Sequence, residues 1–330
     1  MTEPLLSVRD LTVEFPTRKG TLRAVDHVSF DIAPGEVLGV VGESGAGKSL
    51  TGAAIIGLLE PPGRIADGEV RLQGKRVDNL KPEELRKIRG RQIGMVFQDP
   101  LTSLNPLYTI GEQLIETIQT HLPMSEAQAR ERAISLLSEV GIPAPEGRID
   151  GYPHQFSGGM RQRVVIALAL AANPKLVIAD EPTTALDVSV QAQIIKLLKK
   201  TCAEHGAAVM LITHDMGVIA ETADRVAVMY AGRIVEIGKV RDVIKHARHP
   251  YTAGLMASIP SLQHDRPRLD QIDGAMPRLT AIPDGCAYHP RCPKAFDRCR
   301  QARPDLKTAD NSSTRAACWL YEDTLEAASS

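Results

Sequence analysis

Residues 36–49 read Glu-Val-Leu-Gly-Val-Val-Gly-Glu-Ser-Gly-Ala-Gly-Lys-Ser. The first part is an almost unbroken apolar run, which is typical of a strand buried on both faces of a parallel or mixed sheet. The second part, residues 42–49, matches the pattern G-x-x-x-x-G-K-[ST], in which a glycine-rich loop joins a strand to a helix. This stretch therefore predicts a P-loop, a turn that holds phosphate groups.

The residues of this loop suit the chemistry of a nucleotide. Glycines let backbone N–H groups turn toward phosphate oxygens at a helix N-terminus. Lys48 would neutralise charge on the β- and γ-phosphates, and the Ser49 hydroxyl would bind Mg²⁺. A chance glycine-rich turn is the alternative, and the preceding strand and the motifs downstream count against it. The residues expected to bind ATP here are Gly42, Glu43, Ser44, Gly45, Ala46, Gly47, Lys48, Ser49 and Leu50.

Length and composition exclude several classes of protein. The 330 residues are enough for about two soluble domains. A formal net charge of -1 supplies no overall field for binding nucleic acid. The longest wholly apolar run, residues 164–172, is shorter than the roughly 20 residues that cross a bilayer. The first residues also lack the pattern of an export signal, so we expect a cytoplasmic protein.

The order of predicted elements indicates an α/β protein. Apolar and polar residues alternate in short runs between residues 5 and 32, as in half-buried antiparallel strands. Apolar residues spaced by three and four between 106 and 140 predict a mostly helical insert. Beyond it we expect a long helix after residue 159, a strand at 176–179, a helix at 188–202 and a strand at 208–213. Prolines become frequent from about residue 249, which predicts a loop-rich tail with one or two short helices.

Two consecutive acids, Asp180 and Glu181, follow the predicted strand at 176–179. They would lie at the carboxyl edge of the sheet, where ligands bind in this fold class. Asp180 would hold Mg²⁺ through water, and Glu181 would orient the attacking water and act as its general base. A helix N-cap pair before Pro182 is the alternative interpretation.

Residues 156–163, Phe-Ser-Gly-Gly-Met-Arg-Gln-Arg, precede the predicted long helix and resemble the signature of the ABC family. The usual form is Leu-Ser-Gly-Gly-Gln, so the first and last of those five positions differ here. The resemblance implies that Ser157, Gly158, Gly159 and Met160 close on the ATP of a partner subunit. A helix N-terminus is suited to that task, and a plain glycine N-cap is the alternative.

Further elements of the family resemblance occur in order along the chain. Gln98 resembles the Q-loop glutamine, Asp187 in Ala185-Leu186-Asp187 resembles the D-loop, and His214 resembles the switch histidine. The resemblance implies a catalytic set of Glu181, His214 and Gln98, and Mg²⁺ binding through Ser49, Gln98 and Asp180. It also implies an aromatic ring stacked on adenine, for which Phe15 is the first candidate, Phe30 the second, and a core phenylalanine the alternative.

Longer strings, at residues 97–106, 181–189 and 249–252, resemble the oligopeptide/dipeptide importer ATPases, and more finely their D-type subunit. That likeness implies a second, F-type ATPase, two transmembrane permeases, a periplasmic or lipid-anchored binding protein, and no nucleic acid. It implies a peripheral position on the cytoplasmic face of the inner membrane. Nickel or other small-solute importers are close relatives and remain an alternative. A soluble ABC ATPase of DNA repair or translation is a competing class, and an export ATPase is a third. A single P-loop and the absence of a heptad run count against the soluble class.

Four of the five cysteines lie in the tail: Cys286, Cys292, Cys299 and Cys318. The C-x-x-C knuckles of zinc ribbons are absent, and wider loops between thiolates can wrap an iron–sulfur cluster. Because family members carry a [4Fe-4S] cluster at matching cysteines, the resemblance implies one here; zinc and unligated thiols stay as alternatives. Cys202 lies outside the pattern and is expected in the core.

These observations predict an α/β fold with two domains. Residues 1–248 would form an ABC-type P-loop ATPase domain with a mixed sheet core, an antiparallel β subdomain and a helical subdomain at about 99–165. Residues 249–330 would form a small, loop-rich domain that contains the four cysteines.

Overall fold

The computed structural model describes residues 3–184, 186–258, 271–309 and 313–321. The strands are β1 (Leu6–Thr17), β2 (Gly20–Ile32), β3 (Val37–Val41), β4 (Arg64–Leu72), β5 (Lys75–Arg76), β6 (Ile93–Val96), β7 (Leu176–Asp180), β8 (Ala208–Thr213), β9 (Arg225–Tyr230), β10 (Arg233–Lys239), β11 (Lys307–Thr308) and β12 (Arg315–Ala316). The α-helices are α1 (Lys48–Ile55), α2 (Pro82–Ile88), α3 (Pro100–Ser103), α4 (Ile110–His121), α5 (Glu126–Glu139), α6 (Pro145–Arg148), α7 (Gly158–Leu170), α8 (Val188–Glu204), α9 (Met216–Thr222), α10 (Val240–Lys245), α11 (Pro250–Ala257) and α12 (Asp297–Gln301).

The described residues divide into two compact units, each assembled from separate segments of the chain. The first unit contains residues 3–7, 31–37 and 71–212, and the second contains residues 8–30, 38–70 and 213–321. Strands and helices occur in both units, so the α/β fold class is confirmed. The predicted domain boundary at residue 248 stays a prediction.

In the first unit, the parallel strands β6, β7 and β8 form the sheet. Val96 pairs with Ala179, and Asp180 pairs with Ile212, so the carboxyl ends of these strands meet at one edge. Every residue of β7 is buried, which explains why this segment is a continuous apolar run ending in an acid. Because of this register, the residues that follow β6 and β7 lie at the same edge of the sheet.

Helices α4, α5 and α7 pack against one another in the same unit. In α4, Ile110, Leu114 and Ile118 recur every four residues and are completely buried. The helix begins with a capping box, in which Thr109 Oγ1 accepts from the Glu112 N–H (3.2 Å) and the Thr109 N–H donates to the Glu112 carboxylate (2.7 Å). Apolar periodicity and capping thus agree on where this helical region begins.

In the second unit, β3 pairs in parallel with β9, and β9 pairs in antiparallel with β10. Strand β12 extends this arrangement through the pairing of Glu236 with Ala316, and β11 pairs with β12. A separate sheet has the order β2-β1-β4, in which β1 and β2 form a hairpin. The tail was expected to contain only loops and short helices. It contains α11 and α12, but also β11 and β12, which at two residues each are too short to produce a sequence period.

A stability prediction follows from the close approach of β6 to α7. A Cβ atom on Gly94 would lie 2.2 Å from the Ala169 carbonyl oxygen, which is backbone and cannot rotate away. We expect Gly94→Ala to lower the free energy of unfolding by about 1–3 kcal/mol through overpacking, measured by urea denaturation.

Gly147→Ala is the matched control, because a Cβ atom there meets no atom within 4 Å. Equal stability of the two variants would contradict the packing described for β6.

Candidate functional site

The loop at residues 42–47 leaves β3, all five of whose residues are buried, and leads into α1. Gly42 has φ +154°, and a Cβ atom there would lie 2.3 Å from the Met229 carbonyl oxygen. Gly47 has φ +100°, and its Cβ atom would lie 2.9 Å from the Ala24 carbonyl oxygen. Only glycine fits both positions, so the tight strand-to-helix turn depends on them.

Lys48 begins α1, with only 5% of its surface exposed. Its Nζ donates to the carbonyl oxygens of Gly42 (2.8 Å) and Glu43 (3.1 Å). The first turn of α1 contains no acidic residue, so the ammonium adds to the positive end of the helix dipole. Loop amides, a helix N-terminus and a buried cation together make an anion site of the kind that holds phosphates.

The predicted general base lies at the end of β7 in the first unit. Asp180 is the last residue of that strand and is 8% exposed. Glu181 follows with φ +45°, a conformation uncommon outside glycine, and its N–H donates to the Ile212 carbonyl at 2.9 Å. Its carboxylate accepts from Gln98 Nε2 at 3.4 Å and from Thr184 Oγ1 at 3.1 Å. The structure therefore brings Gln98 and Glu181 together, and it adds Thr184, which lies in the string 181–189 but received no role from it.

Ser157 is the N-cap of α7, and its Oγ accepts from the Met160 N–H at 3.4 Å. Ser157 and Gly158 are exposed, whereas Phe156 packs in the core at 3% exposure. The helix N-terminus at 158 is thus open to a ligand from outside. Phenylalanine replaces the usual leucine of the signature at position 156, and its side chain packs in the core.

The remaining predicted residues occupy loops next to regular elements. Asp187 is exposed and precedes α8, where Gln191 Nε2 donates to the Leu186 carbonyl at 3.0 Å; Ala185 lies outside the described residues. His214 is exposed and directly follows β8. Phe30 is 2% exposed and belongs to the core, whereas Phe15 is half-buried, so Phe15 stays the candidate for stacking on adenine.

Two residues of the C-terminal region reach the P-loop: Tyr251, which lies in the string 249–252 but received no role from it, and Arg291, which belongs to none of the motifs. The Glu43 N–H donates to Tyr251 Oη at 2.9 Å. The Glu43 carboxylate accepts two hydrogen bonds from Arg291, at 3.0 and 3.1 Å. No sequence signal could have found these pairs, because the partners lie more than 200 residues apart.

The four tail cysteines lie close enough for their charges to interact. Burial raises the pKa of Cys318 to about 11, and the thiols of Cys286, Cys292 and Cys299 act on it in the same direction. Among the described residues, no group of three or more His, Cys, Asp or Glu side chains is arranged to hold a single metal ion. Neither zinc nor an iron–sulfur cluster at these cysteines therefore finds support among the described residues.

Cys202, the fifth cysteine, is completely buried on α8. Burial raises the pKa of its thiol to about 12. It is a core residue, as the sequence predicts.

Over the part of the chain that the structure covers, no helix is both long and apolar enough to span a bilayer.

Comparison with known proteins indicates the same family as the sequence motifs. Residues 25–184 match the family described as ABC transporter, and residues 235–299 match the family described as oligopeptide/dipeptide transporter, C-terminal region. The chain is 48% identical to the dipeptide transport ATP-binding protein DppD of Bacillus subtilis, over 98% of this chain and 97% of that protein. It is 49% identical to the oligopeptide transport ATP-binding protein OppD of Salmonella typhimurium, over 97% of this chain and 95% of that protein.

Solved structures agree with this result. A dimer of the ATP-binding cassette MJ0796 bound to ADP and phosphate is similar at a TM-score of 0.64 and 33% identity, over 72% of this chain and 99% of that chain. The ABC transporter component cbiO1 of Clostridium perfringens is similar at a TM-score of 0.63 and 29% identity, over 74% of this chain and 92% of that chain. The resemblance read from the motifs is thereby confirmed: the chain belongs to the ABC transporter ATPase family, in the group that carries the C-terminal region of oligopeptide/dipeptide transporters.

Proposed function

We propose that this chain is the ATP-binding and ATP-hydrolysing subunit of an importer for dipeptides and oligopeptides. The observation that carries the proposal is the presence, on one chain, of a P-loop cassette and the C-terminal region of oligopeptide/dipeptide transporters. Relatives that match almost the whole chain are named for dipeptide and oligopeptide transport. Because a fold alone does not determine a substrate, the peptide class rests on these relatives.

The residue types predicted for nucleotide and metal binding suit ATP and Mg²⁺. The Lys48 ammonium and the N-terminal amides of α1 would hold the β- and γ-phosphates. The Ser49 hydroxyl, the Gln98 amide and the Asp180 carboxylate are the oxygen donors that Mg²⁺ prefers. When bound, the ion neutralises charge on the phosphates during transfer.

Glu181 is the general base in this proposal. Its carboxylate would orient a water molecule and accept its proton as the water attacks the γ-phosphate. Gln98 and Thr184 both donate to Oε2 of this carboxylate, and the left-handed backbone of Glu181 sets the direction of the side chain. His214 would contact the γ-phosphate, as the family resemblance implies.

We infer that the ATPase works as a head-to-tail pair with a second, F-type ATPase. The exposed Ser157 and the N-terminus of α7 form a site suited to an anion. The nucleotide bound by this chain's own P-loop is not assigned to that site, which supports contact with the ATP of a partner. Asp187, also exposed, would lie at the same contact. Each composite site would then need residues from both ATPases.

Membrane permeases are the second class of partner in the proposal. Of the eight exposed large hydrophobic side chains among the described residues, four fall between residues 97 and 108, directly after β6: Phe97, Leu101, Leu107 and Tyr108. An exposed apolar surface next to Gln98 fits an apolar partner segment better than solvent. The chain would therefore sit at the cytoplasmic face of the inner membrane, with an external binding protein that supplies peptide and without nucleic acid.

We also propose that Cys286, Cys292, Cys299 and Cys318 hold a [4Fe-4S] cluster. Burial raises the pKa of Cys286, Cys292 and Cys318, and nearby backbone N–H groups act in the opposite direction: those of Tyr288 and His289 on Cys286, of Lys294 on Cys292, and of Leu320 on Cys318. Backbone N–H groups that favour a thiolate also suit iron–sulfur sites, whose potential depends on hydrogen bonds to the sulfurs. A cluster spreads its four cysteine sulfurs more widely than one zinc ion, whose sulfur ligands lie about 2.3 Å from the metal.

The assignment of the base is tested by Glu181→Gln. The amide keeps the shape of the side chain but cannot accept the proton of water, so ATP hydrolysis by the assembled complex should fall about 100-fold or more while ATP binding remains. Lys48→Ala is the comparison, since loss of the buried ammonium should remove ATP binding itself. Hydrolysis by Glu181→Gln at the wild-type rate would refute the role of Glu181.

The partners are tested by affinity purification of the Glu181→Gln protein from detergent-solubilised membranes with ATP and Mg²⁺, followed by mass spectrometry. We expect two permeases and a second ATPase. Leu107→Asp, at a position 80% exposed, should lose the permeases and keep the second ATPase, whereas Leu58→Asp, at a position 37% exposed outside residues 97–108, should retain both. Recovery of ribosomes or DNA in place of permeases would contradict the importer.

The cluster is tested by anaerobic purification, metal analysis and absorption spectroscopy. We expect iron and acid-labile sulfide, with a broad band at about 400 nm from charge transfer between sulfur and iron. Cys292→Ser should lose this band, and Cys202→Ser, which changes a buried core cysteine, should keep it. Zinc without iron in the wild-type protein would overturn the proposal.

A further inference from the structure

The second residue of the P-loop is held from the C-terminal region through both its backbone and its side chain. The Glu43 N–H donates to Tyr251 Oη at 2.9 Å. Arg291 Nη1 and Nη2 donate to the two carboxylate oxygens of Glu43, at 3.0 and 3.1 Å. We call these three residues, Glu43, Tyr251 and Arg291, the Glu43 clasp.

The guanidinium of the clasp is fixed in position. The Arg291 side chain is 7% exposed, against 29% for Glu43. The same guanidinium also donates to Tyr230 Oη and to the carbonyl oxygens of Ile272, Asp273 and Gly274. A planar fork that is bonded on several sides cannot follow a moving carboxylate, so it dictates where the carboxylate lies.

The clasp rests on a packed aromatic base. The ring centroids of Tyr230 and Tyr251 are 4.7 Å apart, and those of Tyr230 and Tyr288 are 5.2 Å apart, both in edge-to-face arrangements. Tyr230 ends β9, the strand that pairs with β3 just before the P-loop. Arg291 and Tyr251 are therefore anchored to the sheet that carries the loop.

Arg291 also belongs to the segment that contains the cysteines. It ends the short turn at residues 289–291 and directly precedes Cys292. The turn is tied to its neighbours, since the His289 N–H donates to the Cys286 carbonyl (2.9 Å) and the Cys286 N–H donates to the Cys299 carbonyl (2.8 Å). A shift of the cysteine segment would thus displace the guanidinium.

The clasp holds Glu43 independently of Lys48. Lys48 Nζ donates to the carbonyl oxygens of Gly42 and Glu43. The Glu43 N–H donates to Tyr251 Oη and the Glu43 carboxylate accepts from Arg291, so these contacts hold Glu43 even when the Lys48 ammonium turns toward a phosphate. A loop held in this way needs no reordering at the moment of binding, which favours affinity.

We propose that Arg291 and Tyr251 are positioning residues of the ATP site, which hold Glu43 so that the P-loop stays open for phosphate and link ATP affinity to the cysteine segment. This proposal rests on ATP binding at the P-loop and is independent of the peptide substrate and of Glu181. The coupling is reciprocal, because any state of the cysteine segment that moves Arg291 must change the affinity for ATP.

The test is the affinity of the purified full-length protein for the non-hydrolysable analogue AMP-PNP with Mg²⁺, measured by calorimetry. Arg291→Met should weaken binding by about tenfold or more, within the usual range of coupling between sites. Arg291→Lys should weaken binding too, because an ammonium cannot form the fork, and Tyr251→Phe should do so through the lost hydroxyl. These two milder variants keep the test decisive if Arg291→Met does not fold.

Arg303→Met is the matched control. Arg303 lies in the same C-terminal region and also bonds a carboxylate of the ATPase core, Asp26 at 2.9 Å, but its partner is outside the P-loop. We expect it to bind the analogue like the wild type. A loss of affinity equal to that of Arg291→Met would mean that general loosening of the region is responsible, and would overturn the proposal.

A double-mutant cycle with Glu43→Gln separates positioning from a general structural effect. If Arg291 affects ATP affinity through Glu43, Arg291→Met should cost little further affinity for the analogue in the Glu43→Gln background, because the bidentate pair is already broken. Fully additive losses, or Arg291→Met with wild-type affinity, would overturn the proposal.

Discussion

The turn from β3 into α1 leaves little freedom in sequence or backbone, and it determines where the phosphate-binding groups lie. A strand buried on both faces must end, reverse its backbone direction and begin a helix within six residues, and only glycine fits at Gly42 and Gly47. The same turn presents the helix N-terminus and buries Lys48 beneath it. Binding of phosphate is therefore a consequence of how the chain changes from strand to helix.

Much of the fold could be predicted because burial leaves a clear pattern in the sequence. The apolar runs of β7 and β8 and the four-residue spacing in α4 correspond to elements observed at those positions. The two-residue strands β11 and β12 could not be predicted, since the pairing of β12 with β10 and of β11 with β12 comes from tertiary contact rather than from a local period. Likewise, burial removes Phe30 from the two aromatic candidates, which the sequence left undecided.

The candidate site, like the fold, could be predicted only in part from the sequence. Motifs identified Gln98 and Glu181, but the left-handed backbone of Glu181 and the hydrogen bond from Thr184 depend on the surrounding structure. Contacts made across long separations, such as Glu43 with Arg291, leave no trace in one sequence. Sequence motifs thus supply the candidate groups for the chemistry, whereas the hydrogen bonds and backbone conformations that restrain those groups are visible only in the structure.

ATP hydrolysis by this chain is proposed to drive uptake of peptides. This proposal is tested by accumulation of a labelled dipeptide inside vesicles that contain the chain together with its co-purified permeases, second ATPase and binding protein. Accumulation should require ATP and should stop when Glu181→Gln replaces the wild-type chain. Hydrolysis of ATP without accumulation of dipeptides or oligopeptides, or uptake that continues with Glu181→Gln, would contradict it.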